Sequence, residues 1–208
     1  MQSNVSRATL RRLPLYLHYL KSIDDISIEN ISATSIAKAL GFGEVQVRKD
    51  LAAVSGAGKP RTGYIITDLI KHLEMYLGYD NINHAVIVGA GKLGMALLDY
   101  NGFSEYGLMI SAAFDADKSK VGVTKSGKEI LYIDDFKDYC TRNEIKIGII
   151  TVPAQQAQSV CNLMIENNIS AIWNFAPSHI KTPDNVIVYN ENMALSLAML
   201  SGQLKAIL

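Results

Sequence analysis

The chain has 208 residues, 49% of them hydrophobic, enough for one large core or two modest ones. Its 20 basic and 20 acidic residues cancel, so net charge says nothing about partners, but residues 1–64 hold 9 basic and 5 acidic side chains and the remainder 11 and 15. That asymmetry points to an anionic partner for the N-terminal part. The first residues carry no secretory-signal pattern and no apolar run could span a bilayer, so a cytoplasmic protein without membrane contact is expected.

Three helical signals open the chain. Arg7 to Lys21 carries Leu10, Leu13, Leu17 and Leu20 at spacings of three and four, with Pro14 as an awkward interior residue. Ser32 can cap a second helix through Ile36, Ala37 and Leu40, which Gly41 stops. Gly43 to Val54 places Val47, Leu51 and Val54 on one face and Gln46, Arg48, Lys49 and Asp50 elsewhere. Two short helices across a Gly-bearing turn form a helix-turn-helix signature, with the second as recognition helix. Ser55 to Tyr64 follows, with three glycines, Pro60 and two cations, Lys59 and Arg61. An ordinary linker would look similar, but a basic segment directly after a helix-turn-helix suits a β-wing whose tip reaches DNA.

Thr67 to Leu77 reads as one amphipathic helix stopped by Gly78, and the natural boundary lies within Gly78 to Asn83. This predicts a winged-helix domain over 1–80 and a second domain over 81–208. In the second, buried strands are suggested at Ala85–Val88, Leu108–Phe114, Lys146–Thr151 and Ala171–Trp173, with another at Val186–Tyr189. Strands alternating with helices imply an α/β Rossmann domain with a parallel, doubly wound sheet. A closing helix from Asn192 to Ile207, within about 190–208, is apolar on more than one face and needs cover that a partner subunit could supply.

The sharpest chemical signal is Gly89-Ala90-Gly91-Lys92-Leu93-Gly94, directly after the strand His84–Val88. Gly89 permits a tight turn, Gly91 lets a pyrophosphate approach the backbone, and Gly94 lets the helix pack on the strand. A second strand ends in Asp115, 21 residues after Gly94, where an acidic residue would bind the adenosine ribose and favour NAD over NADP. Lys118 and Lys120 lie nearby and weaken that preference. No catalytic set accompanies the site: of His18, His72, His84 and His179, only His179 is a serious acid–base candidate. The nucleotide looks sensed, not consumed. Cys140 and Cys161 lack metal-ligand spacing, so reduced buried thiols are expected and no metal site is.

Together these motifs resemble the Rex family of redox-sensing repressors over essentially the whole chain. Ser6 to Leu17 is similar to the family's opening helix, Gln46-Val-Arg-Lys-Asp-Leu51 to its recognition helix, and Lys59 to Tyr64 falls on its wing. Gly89–Gly94, Asp99–Phe103, Phe114–Asp117, Thr151–Ala154 and Asn174–Pro177 match in order and spacing. The resemblance implies a homodimer with a swapped C-terminal helix, bound to double-stranded operator DNA when NADH is low and released when NADH rises. It implies that Gln46, Arg48 and Lys49 contact the major groove, with Lys59 and Arg61 acting from the wing. It further implies that Val152 and Pro153 border the dinucleotide, that Asn174 lies near it, and that Met193 covers the nicotinamide, where many members have Phe. The family couples nucleotide state to DNA binding through an arginine, an aspartate and a tyrosine; here these positions hold His18, Asn192 and Tyr100. The wing Gly58-Lys-Pro-Arg-Thr-Gly63 also lacks one glycine of the usual pattern. Competing readings are a small NAD-dependent reductase, a CoA-ligase-like nucleotide-binding subunit, and a dimerisation module with a degenerate site.

Overall fold

The computed structural model describes residues 5–23, 28–79 and 82–205, and the chain divides into two compact units, Met1–Asn81 and Ile82–Leu208.

In the first unit, helix α1 (Arg7–Lys21) starts where the Ser6 side chain accepts the Thr9 N–H at 3.1 Å. Its buried stripe is Thr9, Leu13, Tyr16, Leu17 and Leu20, whereas Leu10 stays exposed. That exposure explains why Pro14 is tolerated, because the Leu10 carbonyl that loses its helical donor lies on the wet side. A two-residue strand β1 (Asn30–Ile31), not anticipated from the sequence, precedes α2 (Ala33–Leu40). Ser32 caps α2 through the Ser35 N–H at 3.0 Å, and Gly41 ends it in the left-handed region. Helix α3 (Glu44–Ser55) follows after a three-residue turn.

The next segment is a wing and not a free linker. Lys59 and Gly63 exchange backbone hydrogen bonds of 2.8 and 2.9 Å around a Pro60-Arg61-Thr62 tip, with Arg61 at φ 67°. Strand β2 (Tyr64–Ile65) then pairs antiparallel with β1, and α4 (Ile66–Leu77) closes the unit. Leu13, Leu17, Ile36, Val47, Leu51, Leu69 and Leu73 share one core. Burying each such side chain is worth about 1.5–3 kcal/mol, so this core holds α1, α2 and α4 against α3.

The second unit is built on a seven-stranded sheet in the order β5-β6-β4-β3-β7-β8-β9. Its strands are β3 (Asn83–Val88), β4 (Leu108–Asp115), β5 (Gly122–Val123), β6 (Glu129–Tyr132), β7 (Ile147–Ile150), β8 (Ala171–Asn174) and β9 (Ile187–Asn190). Every neighbouring pair is parallel except β5–β6, an edge pair that the sequence reading missed. Sheet growth reverses at β3, so β4 and β7 lie on opposite sides of it. That is the doubly wound arrangement, with a crevice beyond the carboxyl ends at the reversal.

Helices α6 (Phe136–Arg142) and α7 (Ala154–Glu166) cover one face, packing on Val86, Val88, Phe114 and Ile150. Cys140 and Cys161 are free thiols in this core, and burial pushes both pKa values up, Cys140 to about 11. Helix α5 (Lys92–Leu98) covers Ala85, Ile87, Ile110 and Ala113 on the other face. Further along that face, Ile147 and Trp173 are only half-buried, and Ile187 and Tyr189 on β9 are 73% and 51% exposed. Helix α8 (Met193–Lys205) exposes Met193, Leu195, Leu197, Met199, Leu200 and Leu204. Among the described residues no helix is long and apolar enough to cross a membrane.

Candidate functional site

The glycine-rich loop leaves β3 at Val88 and turns back at Gly89, whose φ of 108° suits glycine. A Cβ at Gly94 would lie 2.0 Å from the Gly89 carbonyl oxygen, so α5 meets the loop closer than any side chain allows. A Cβ at Gly91, by contrast, would meet nothing within 4 Å. Gly91 also caps α5 without a side-chain bond, leaving first-turn amides for a ligand. Thr151, just beyond β7, fixes the loop by donating from Oγ1 to the Gly89 carbonyl at 2.7 Å.

Asp115 ends β4 beside this loop. Its Oδ2 accepts from the Ala90 N–H and from Lys120 Nζ, both at 2.8 Å, and Oδ1 accepts from the Asp117 N–H at 2.9 Å. Burial pushes its pKa up, but these bonds, Lys120 foremost, outweigh burial and hold it below the usual carboxylate range. The group is therefore anionic at neutral pH, with one oxygen open to a further donor. That is the chemistry a ribose hydroxyl needs.

A cleft of about 730 Å³ opens here, lined by Gly89, Gly91, Asp115, Val152 and Pro153 among the residues expected from the sequence. It is also lined by Asp117, Lys120, Ile133, Thr151, Gln156 and Val160, which the sequence reading did not assign. Ile133 and Thr151 directly follow β6 and β7, so the rule that ligands sit beyond strand carboxyl ends would have found them.

The other expected contacts lie elsewhere. Ala90 is buried with its N–H on Asp115; Lys92 is exposed and Leu93 half-buried, neither lining the cleft; Gly94 supports the loop from below. Asn174 is not among the residues lining the cleft. Fully buried, its Oδ1 accepts the Ala176 N–H, and its Nδ2 donates to Ser178 O at 3.0 Å and to Asn190 Oδ1 at 2.9 Å. Its polar groups hold the turn after β8 against β9. Tyr100 is exposed and stacks edge-on against Phe103 at 5.0 Å, and Met193 is exposed at the start of α8. Asn192 caps α8, its Oδ1 accepting the Leu195 N–H at 2.9 Å, while His18 is exposed on α1. His179 is exposed, and no group of three or more metal-ligating side chains occurs among the described residues.

In the first unit, α3 exposes Gln46, Arg48 and Lys49. A groove of about 560 Å³ runs between α3 and the wing, with Arg48, Lys49, Lys59 and Arg61 around it and Ser32 and Thr34 at the start of α2. Arg48 is paired to Glu44 one turn earlier, so phosphate or base contact has to compete with that ion pair. On the opposite flank of α3, Arg7, Arg11 and Arg12 line a second groove together with Gln46. Those arginines were read from sequence only as part of a helix. Arg7 and Arg11 are exposed there while Arg12 is paired to Asp50, so exposed cations border the recognition helix on two sides, as a polyanion requires.

Comparison with known proteins agrees with both halves. A family model described as a putative DNA-binding protein N-terminus matches residues 4–52, and one described as a CoA binding domain matches residues 80–178. The redox-sensing transcriptional repressor Rex of Clostridium acetobutylicum is 35% identical over 206 residues, spanning 99% of this chain and 96% of that protein. The solved structure of RSP in complex with beta-NAD+ and operator DNA superimposes with a TM-score of 0.90 at 33% identity, covering 97% of this chain and 93% of RSP. RSP in complex with beta-NADH gives a TM-score of 0.85 at 32% identity, covering 98% and 95%. At that identity over nearly the whole of both chains, the reductase and CoA-ligase readings give way: the chain belongs to the Rex family of redox-sensing transcriptional repressors.

Proposed function

We propose that this chain is a cytoplasmic homodimeric repressor that binds double-stranded operator DNA when NADH is low and releases it when NADH binds. The observation that carries this reading is the anionic Asp115 held against an open glycine-rich loop in the same chain as a cationic winged helix. Gly89, Gly91, Asp115, Val152 and Pro153 would take the dinucleotide; Gln46, Arg48, Lys49, Lys59 and Arg61 would take the DNA. Two surfaces support the dimer. Helix α8 exposes a run of large apolar side chains, and among the described residues no helix covers the sheet face at Trp173, Ile187 and Tyr189, though a parallel sheet ordinarily has both faces covered.

The mechanism is a population shift between DNA-competent and closed dimers, with NADH preferring the closed one. A thousandfold preference corresponds to about 4 kcal/mol of differential binding. The test is a titration of a DNA duplex, selected from a random pool by the protein itself, with NADH, NAD or CoA at fixed salt. Release by NADH alone is expected; equal affinity with and without all three ligands refutes the ligand reading, and release by CoA alone reassigns the cleft.

A further inference from the structure

The spacing sets Asp50 off the apolar face of α3, yet it is 5% exposed and is buried on that helix along with Val47 and Leu51. A buried carboxylate is costly unless its oxygens are satisfied, and here all are. Oδ1 accepts from Thr9 Oγ1 at 3.0 Å and from Arg12 Nη2 at 3.0 Å. Oδ2 accepts from Arg12 Nε at 2.7 Å and from Tyr16 Oη at 2.8 Å. Four donors from one helix fill the four lone-pair sites of a single carboxylate on another.

The network continues outward. With the Gln46 amide assigned with its oxygen towards the guanidinium, the orientation that satisfies its hydrogen bonding, it would accept from Arg12 Nη1 at 3.0 Å and Nη2 at 3.3 Å. In that orientation Arg12 bridges Asp50 to Gln46, one turn earlier on α3. Burial raises the Asp50 pKa but the bonds from Arg12, Tyr16 and Thr9 hold it below the ordinary value. Burial, reinforced by Asp50, pushes Tyr16 up to about 12, so it remains a donor.

We propose that Asp50 and Arg12 are positioning residues for sequence reading: the buried carboxylate locks Arg12, and Arg12 sets the aim of Gln46 before DNA arrives. The inference deepens the repressor reading and rests on it. Phosphate contacts depend on exposed cations that this network does not touch, so its loss should lower discrimination between sequences more than overall DNA affinity.

The experiment compares full-length wild type, Arg12→Lys, Asp50→Asn, Gln46→Ala and the Arg12→Lys/Gln46→Ala double variant. Each is titrated against the selected duplex and a scrambled duplex of the same length, over a range of salt, with melting temperature recorded. Arg12→Lys keeps the charge but loses the planar fork. It is expected to reduce the ratio of the two affinities roughly tenfold, as expected for one lost base contact, and to leave the salt slope unchanged. The double variant should lose no more than Gln46→Ala alone, because the two residues act as a unit. Asp50→Asn should match Arg12→Lys, and if it fails to fold, the Arg12→Lys and double-variant arms decide. Full selectivity in Arg12→Lys, additive losses in the double variant, or an equal fall on both duplexes tracking a lower melting temperature would each overturn the inference alone. A wild-type chain that prefers no duplex overturns the repressor reading and this inference with it.

Discussion

Two neighbouring glycines make opposite demands, and alanine at each separates architecture from ligand binding. At Gly94 the new methyl carbon would lie 2.0 Å from the Gly89 carbonyl oxygen and 2.9 Å from Thr151 Oγ1, and the first of these neighbours is backbone. Reaching ordinary contact near 3.4 Å requires about 1.4 Å of displacement between α5 and the loop it opens from. Overpacking of this kind costs about 1–3 kcal/mol. For a domain of this size that lowers the melting temperature by roughly 3–10 °C. The displaced loop should also weaken NADH binding at least tenfold, about 1.4 kcal/mol. At Gly91 the methyl group meets nothing within 4 Å, and φ of −83° is open to alanine. Gly91→Ala should therefore melt like the wild type yet bind NADH more weakly, because the methyl group occupies the approach of the pyrophosphate. Calorimetric titration with NADH and a thermal melt on each variant decide the matter. Wild-type NADH affinity in Gly91→Ala, or a wild-type melt in Gly94→Ala, refutes the reasoning.

Acidification gives a second measurement. The Asp115 pKa is depressed in the fold, so its stabilising contribution is complete above the unfolded value near 3.9 and is lost as pH falls through the lower folded value. Melts of Asp115→Asn below about pH 5 should show a weaker pH dependence than wild type; identical profiles would contradict the role given to Lys120 and Ala90. Restoring the family's charged pair by His18→Arg with Asn192→Asp should widen the change in operator affinity caused by NADH. Asp caps a helix as well as Asn, so α8 should be unharmed, and an unchanged response removes these residues from the coupling. Leu197, 67% exposed on α8, tests the proposed dimer: the wild type should be dimeric and Leu197→Glu monomeric by light scattering, and an unchanged mass would contradict the role given to α8.

The parts of this protein that were legible in the sequence are those set by local rules. Ser32 and Gly41 bound α2 because capping and left-handed termination are properties of a few adjacent residues. The Gly89–Gly94 loop and Asp115 are readable because the demands of a tight turn and a close helix leave glycine no substitute. What stayed hidden depends on partners far along the chain. Asp50 looks like a surface residue until Thr9, Arg12 and Tyr16, some 40 positions away, are seen to saturate it. Strand β1 is two residues long and exists only because β2 lies beside it, and the short β5–β6 edge has too few residues to show a period. Asn174 matched a family motif, yet only its three-dimensional neighbours reveal that its amide is committed to its own turn.

The wing tip carries a backbone cost. Arg61 holds a left-handed backbone angle that glycine adopts freely, and a non-glycine residue there costs about 1 kcal/mol. An Arg61→Gly exchange would relax the hairpin while removing a cation from the edge of the groove. On the proposed DNA-binding reading, an unstrained hairpin and a cation at its tip are therefore opposing demands on one residue.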